Sequence, residues 1–250
     1  LPGTNGTPGN PTGSTTPGIP GASDGERDGS GVPALNDYRA TGAVDLSLRD
    51  PALSKTIFAT SVASTASGEF DISIVDLVIG EEVTFEVTAT LPEGTAVPLT
   101  LTDNLPTVPG GVLRAVNAGI VSIGSQISTS IVPTITLSDG PDPDSLDDQV
   151  VFDFGNATNT PDGVENDADR IIVRVVARVE NVAENQNADR LTNTATLAYN
   201  AETVNATADV EIVEPVLTIT KLANDDSPAL GQTVTYTLTV SHLPASTADA

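Results

Sequence analysis

Apolar and polar residues alternate along most of this chain in short runs. Val83-Thr84-Phe85-Glu86-Val87-Thr88-Ala89 and Val150-Val151-Phe152-Asp153-Phe154 place an apolar residue at every second position, the period of a strand with one buried face. The same pattern predicts strands at 43–48, 99–101, 131–137, 171–179, 191–197, 210–212, 217–219 and 234–240. Clusters of Pro, Gly, Asn and Asp separate them, which suits turns between strands. The stretch 170–187 could be drawn as a helix. Ile171, Val173, Val175, Ala177 and Val179 share one parity, however, and a strand fits them better. The pattern predicts an all-β fold of the sandwich type.

An internal repeat organises these strands. Ala40-Thr41-Gly42-Ala43-Val44-Asp45-Leu46, leading to Lys55, aligns without gaps on Ala206-Thr207-Ala208-Asp209-Val210-Glu211-Ile212, leading to Lys221, a period of 166 residues. Farther on, Gly80-Glu81-Glu82-Val83-Thr84-Phe85 matches Gly231-Gln232-Thr233-Val234-Thr235-Tyr236, and Leu91-Pro92 matches Leu243-Pro244. A repeat of domain size predicts like domains in tandem on one chain. The expected division is a Gly/Pro/Thr-rich exposed loop or linker at 1–35 and the last strand of a preceding repeat at 36–50. A complete repeat follows at 51–214, then the first strands of the next at 215–250. Residues 1–35 hold too few apolar side chains to offset the entropy of ordering them. The chain opens without a basic, apolar leader and contains no Met, so a mature product or an internal fragment is expected.

Composition narrows the function classes. No Cys is present, which removes disulfides, thiolate metal sites and Cys nucleophiles. Thirty-four acids against 10 bases give a net charge of −24, so nucleic acid is excluded as a partner for want of a basic face. No apolar run approaches the roughly 20 residues of a spanning helix, and no membrane span is expected.

Candidate chemistry comes from polar residues on the apolar parity. The chain has two lysines, at equivalent points of the repeat. Lys55 shares parity with Leu53 and Ile57, and Lys221 with Leu217 and Ile219, so both are expected to point inward. An inward lysine is costly unless paired, neutralised or consumed covalently. Asp103 continues the stripe of Leu99 and Leu101, and Asn193 lies between Leu191 and Ala195. Burial would turn the lysine toward a free amine and the Asp toward a neutral acid. The amine can then attack the Asn carboxamide while Asp103 polarises it and moves the proton, releasing ammonia and leaving a Lys55–Asn193 isopeptide crosslink. The alternative is a buried Lys–Asp ion pair beside an unreacted Asn. Glu86 is the other acid within range, but its parity opposes Val83, Phe85 and Val87, and Asp103 is preferred. Lys221 would serve the crosslink of the next repeat.

These residues, with Leu91-Pro92-Glu93-Gly94-Thr95, Leu101-Thr102-Asp103-Asn104-Leu105-Pro106 and Leu191-Thr192-Asn193-Thr194-Ala195-Thr196, resemble the isopeptide-forming domains of bacterial fimbrial and surface adhesin proteins. The resemblance spans 51–214 fully and 215–250 in part, where the pattern is that of a related surface repeat. It implies tandem immunoglobulin-like β-sandwich domains, a Lys–Asn bond and an extracellular place on the bacterial cell surface. The turn Leu105-Pro106-Thr107-Val108-Pro109-Gly110-Gly111 is longer than the family's usual one.

The expected function is a structural stalk or filament subunit of a surface fibre. Its partners would be neighbouring repeats of the chain and other fibre subunits, with no enzymatic turnover beyond the self-modification. The competing reading is an extracellular β-sandwich module that binds calcium or carbohydrate through a loop at 138–149 or 156–169. No cofactor is required, and calcium is the one ion the loops suggest, with Asp162, Asp167 and Asp169 as candidate ligands. Their spacing is not that of an EF-hand, and a solvated turn with capping carboxylates explains them as well. A hydrolase would need a second catalytic group beside the single His242.

Overall fold

A computed structural model describes residues 49–63, 65, 74–107, 111–140 and 146–243 of the chain. The linker at 1–35 and nearly all of the strand expected at 36–50 lie outside the described residues. In chain order the strands are β1 (Ala52–Thr60), β2 (Val75–Leu77), β3 (Glu82–Thr90), β4 (Gly94–Asn104), β5 (Leu113–Ile123), β6 (Ile127–Thr129) and β7 (Thr134–Ser138). They continue as β8 (Gln149–Asn159), β9 (Arg170–Val179), β10 (Arg190–Tyr199), β11 (Glu202–Ile212), β12 (Leu217–Ala223) and β13 (Tyr236–His242). One 3-10 turn, Asp167–Asp169, breaks the run of strands before β9. Among the described residues the fold is all-β.

Two sheets face each other. One has the order β1-β3-β9-β5, and the other runs β2-β11-β10-β4-β8-β6 with β7 also paired to β8. Their inward residues merge into one apolar cluster: Val83, Phe85, Val87, Val173 and Val175 from the first, Leu99, Leu101, Phe152, Phe154 and Leu197 from the second. The alternation read from the sequence is the burial alternation of the strands. β3 and β9 bury every other residue, and β8 does so over most of its length. At about 25 cal/mol per Å2 such faces supply the main driving force for folding.

The outer face of the first sheet is held by charge pairs across strands. Arg174 on β9 meets Glu86 on β3 at 2.7 Å and Arg178 meets Glu82 at 2.5 Å, both partners being register neighbours. Phe58 falls where the β1–β3 register slips between Ile57 and Ala59. This bulge turns its ring outward, where the Arg174 guanidinium lies 3.3 Å from the ring centroid.

The backbone at Gly111 and Val112, just before β5, is fixed by a residue that its sequence does not advertise. Asn185, in the polar loop between β9 and β10, is 1% exposed. Its amide accepts from Val112 N at 2.6 Å and donates to Val112 O at 2.9 Å and Glu180 O at 2.7 Å. Gly111, at φ +100°, passes so close that a Cβ there would meet Leu191 Cδ2 at 2.2 Å, so glycine suits the backbone at this point. Asn185→Ala would strand Val112 N and Glu180 O and leave Val112 O with only its bond from Glu180 N. It should lower stability by about 2–3 kcal/mol, read as a shifted urea midpoint with unchanged slope.

β12 and β13 form a separate two-stranded sheet. Its register reproduces that of β1 and β3 under the sequence repeat. Lys221 pairs with Leu238 as Lys55 pairs with Val87, and Ile219 pairs with Val240 as Leu53 pairs with Ala89.

Candidate crosslinking site

Three strands from two sheets bring Lys55, Asp103 and Asn193 together. β1 is an edge strand, and Lys55 occupies the inward position between Leu53 and Ile57, opposite Val87. Asp103 stands in the middle of the facing sheet, between Val150 on β8 and Ala195 on β10. Asn193 lies two residues before Ala195 on the same face, which makes it the diagonal neighbour of Asp103 across β4 and β10. The lysine therefore spans the sandwich: its Nζ donates a hydrogen bond to Asp103 Oδ2, and both side chains have 0% exposure.

The electrostatics of the site favour its neutral forms. Burial pushes the Lys55 amine below its ordinary range, against the opposing pull of the Asp103 charge. Burial also pushes the Asp103 carboxyl above its ordinary range, against the Lys55 charge and a weaker influence of Asn193. Both shifts have one cause, since a low-dielectric interior disfavours any separated charge. The proton between the two groups is thereby drawn toward the arrangement of free amine and neutral acid.

Asn193 is the unusual member. It is fully buried, and neither its Oδ1 nor its Nδ2 has a hydrogen-bond partner, while Asp103 Oδ1 is unpartnered too. The amide stands close enough to Asp103 to act on its charge. A carboxamide left in this condition costs several kcal/mol by general transfer data, about 2–7. Such groups call for a role beyond packing. Here a carboxamide carbon, an amine and a carboxyl group lie together in the apolar interior.

The remaining candidates are placed elsewhere. Glu86 points to the outer face and pairs with Arg174. Lys221 departs from expectation: it is exposed, because among the described residues no second sheet covers its face of β12 and β13. The calcium candidates serve local structure. Asp162 accepts from Val164 N at 2.8 Å, Asp167 pairs with Arg170 at 2.5 Å, and Asp169 accepts from Asn166 N at 2.8 Å in a capping box. Among the described residues no three His, Cys, Asp or Glu side chains converge where a metal ion could sit. The exposed aromatic rings described, Phe58 and Tyr236, lie on strands under Arg174 and Lys221 rather than in a loop.

No protein-family model matches the chain. No curated protein sequence matches it either. Among solved structures it is similar to the C-terminal domain of the Streptococcus agalactiae antigen I/II polypeptide BspA, with 11% identity and a TM-score of 0.39 over 64% of this chain and 50% of that one. It is also similar to domains D2 and D3 of the major pilin SpaD of Corynebacterium diphtheriae, with 15% identity and a TM-score of 0.38 over 72% and 58%. A third is BcpA, the major pilin subunit of Bacillus cereus, with 12% identity and a TM-score of 0.39 over 71% and 44%. The chain spans about half the length of these proteins.

Proposed function

We propose that this chain is a structural segment of a bacterial surface fibre, a stalk or filament subunit, whose sheets are joined by an amide between Lys55 and Asn193. The observation that carries the reading is the buried Lys55–Asp103 contact across the sandwich, with the unpaired carboxamide of Asn193 diagonal to it. Neutral Lys55 Nζ attacks the Asn193 side-chain carbon while the protonated Asp103 donates to the carbonyl oxygen. Asp103 then takes the proton from the new nitrogen and passes it to the leaving amide nitrogen. The carbon–nitrogen bond of the carboxamide breaks, one ammonia leaves, the oxygen returns its proton to Asp103, and a secondary amide remains. Each chain reacts once.

The location of the bond suits a load-bearing role. Lys55 lies on the first described strand and Asn193 on the tenth. Tension applied through residues 49 and 214 would cross from β1 to β10 through the amide, and the chain between 56 and 192 would carry none of it. Redox conditions would leave such a tie untouched, in contrast to a disulfide.

Tryptic digestion of the denatured chain tests this reading. An acylated Lys55 resists trypsin, so the expected product is a branched peptide joining residues 50–114 to residues 191–221. Recovery of separate peptides ending at Lys55 and at Lys221, with Asn193 intact, would refute the bond. As the reaction needs one proton shared by the pair, its rate should plateau and then fall toward both acid and alkaline pH.

A further inference from the structure

Both lysines of the chain lie over an aromatic ring, in the same relation to their strands. Lys55 Nζ is 5.0 Å from the centroid of Phe85, and Lys221 Nζ is 4.2 Å from that of Tyr236. Lys55 pairs with Val87 and Lys221 with Leu238, so each ring stands two residues before the lysine's cross-strand partner, on the same face. Eight Phe and Tyr residues among 250 make a chance recurrence of this diagonal a poor explanation.

The two settings differ in one informative way. Phe85 is fully buried within the sandwich, whereas Tyr236 is 54% exposed and every residue of β13 is exposed. The lysine–ring contact thus forms in a hairpin whose face has no sheet over it among the described residues. Its geometry is a property of the two paired strands and needs nothing from the facing sheet.

We propose that Phe85 is a positioning residue for amide formation: its ring holds the Lys55 amine in place before β4 and β10 close over it. Tyr236 holds Lys221 in the same way. The inference rests on the Lys55–Asn193 reading. A free lysine side chain carries about 2 kcal/mol of rotamer entropy, and a ring contact that restricts it in advance leaves less to be lost as the amine reaches its target. Because Asp103 draws on the same amine from the opposite sheet, the ring and the acid fix it from two sides.

The test follows ammonia loss by intact mass under denaturing conditions after pulsed synthesis of the full chain, for the wild type, Phe85→Leu and Phe85→Tyr. Phe85→Leu should slow the loss by up to roughly 30-fold, the factor that about 2 kcal/mol of lysine rotamer entropy allows, and Phe85→Tyr should stay near the wild-type rate. Equal rates for wild type and Phe85→Leu would overturn the positioning role while leaving the bond standing. A wild type that loses no ammonia would overturn the bond itself. Should Phe85→Leu fail to fold, Tyr236→Leu decides, since that ring is exposed. The ε-methylene protons of Lys221 should be shifted upfield in the wild type and return to ordinary values in the variant. Ordinary values in both would overturn the role assigned to the ring.

Discussion

Replacing Asp103 by alanine is expected to leave the chain at its full sequence mass and to lower its stability by about 5 kcal/mol or more. Two losses combine. Without the acid, nothing donates to the Asn193 carbonyl or moves the proton, so the crosslink does not form. Chain-entropy estimates place a covalent tie across more than a hundred residues at about 4–5 kcal/mol. The second loss is electrostatic. Lys55 has 0% side-chain exposure, and Asp103 is the acceptor of its hydrogen bond. Removing one partner of a buried pair costs about 3–5 kcal/mol because the other is left uncompensated. The two costs share residues and will not add fully. Intact mass and thermal melting of the same preparation check both parts. A variant that still loses ammonia would remove Asp103 from the chemistry.

Lys55→Met should separate these effects. It abolishes the crosslink but places an apolar side chain of similar reach among Phe85, Val87 and the inward face of β4. At a pH below the ordinary carboxylate range, where Asp103 is protonated whether folded or not, the loss should then approach the tie alone, about 4–5 kcal/mol. Pulled between residues 49 and 214, this variant should release the chain from 56 to 192, which the wild type should keep folded. Its stability should also depend on pH in a definite direction. Asp103 loses its counter-charge in this variant, while burial, the largest influence on it, still favours the neutral acid. Its carboxyl titrates higher in the folded chain than in the unfolded one. The contribution to stability is therefore present at pH below the ordinary carboxylate range and is lost as pH rises from there through the folded value. Stability that stayed flat across that window would show that Asp103 is relieved by some other group.

Much of this site is written in strand parity. Asp103 and Asn193 sit in β4 and β10 where the alternation is regular, and their inward direction follows from Leu99, Leu101, Leu191 and Ala195 alone. Parity works there because both strands are central in their sheet and one face is fully buried. It fails where the ladder is irregular. β5 shows no clean alternation, since its register against β9 slips between Ala115 and Asn117 and again between Ile120 and Ser122. The run 131–137 reads as one strand, yet only 134–137 lies in β7, and 131–133 belong to the link from β6, with Val132 86% exposed. β11 extends back to Glu202 from the three residues that its apolar pattern marks, because its outer half carries exposed polar side chains.

Two features of the structure were beyond sequence reasoning for different reasons. Parity assigns Lys221 the same inward direction as Lys55, but direction within a hairpin does not say whether a second sheet lies over it. Asn185 looks like one more polar loop residue in Glu184-Asn185-Gln186-Asn187. Its burial arises from backbone groups at Val112 and Glu180 that only the fold brings to it. The pairing of each lysine with a ring was open to inspection, since the repeat aligns Phe85 with Tyr236, but the diagonal becomes visible only once the register is known.

The intact mass of the freshly purified wild-type chain, measured under denaturing conditions beside Lys55→Ala and Asn193→Ala, tests the central claim most directly. The wild type should be one ammonia lighter than its sequence, and each variant should have the full mass of its own sequence. A wild type at full mass would contradict the crosslink and leave Lys55 and Asp103 as a buried ion pair beside an unreacted asparagine.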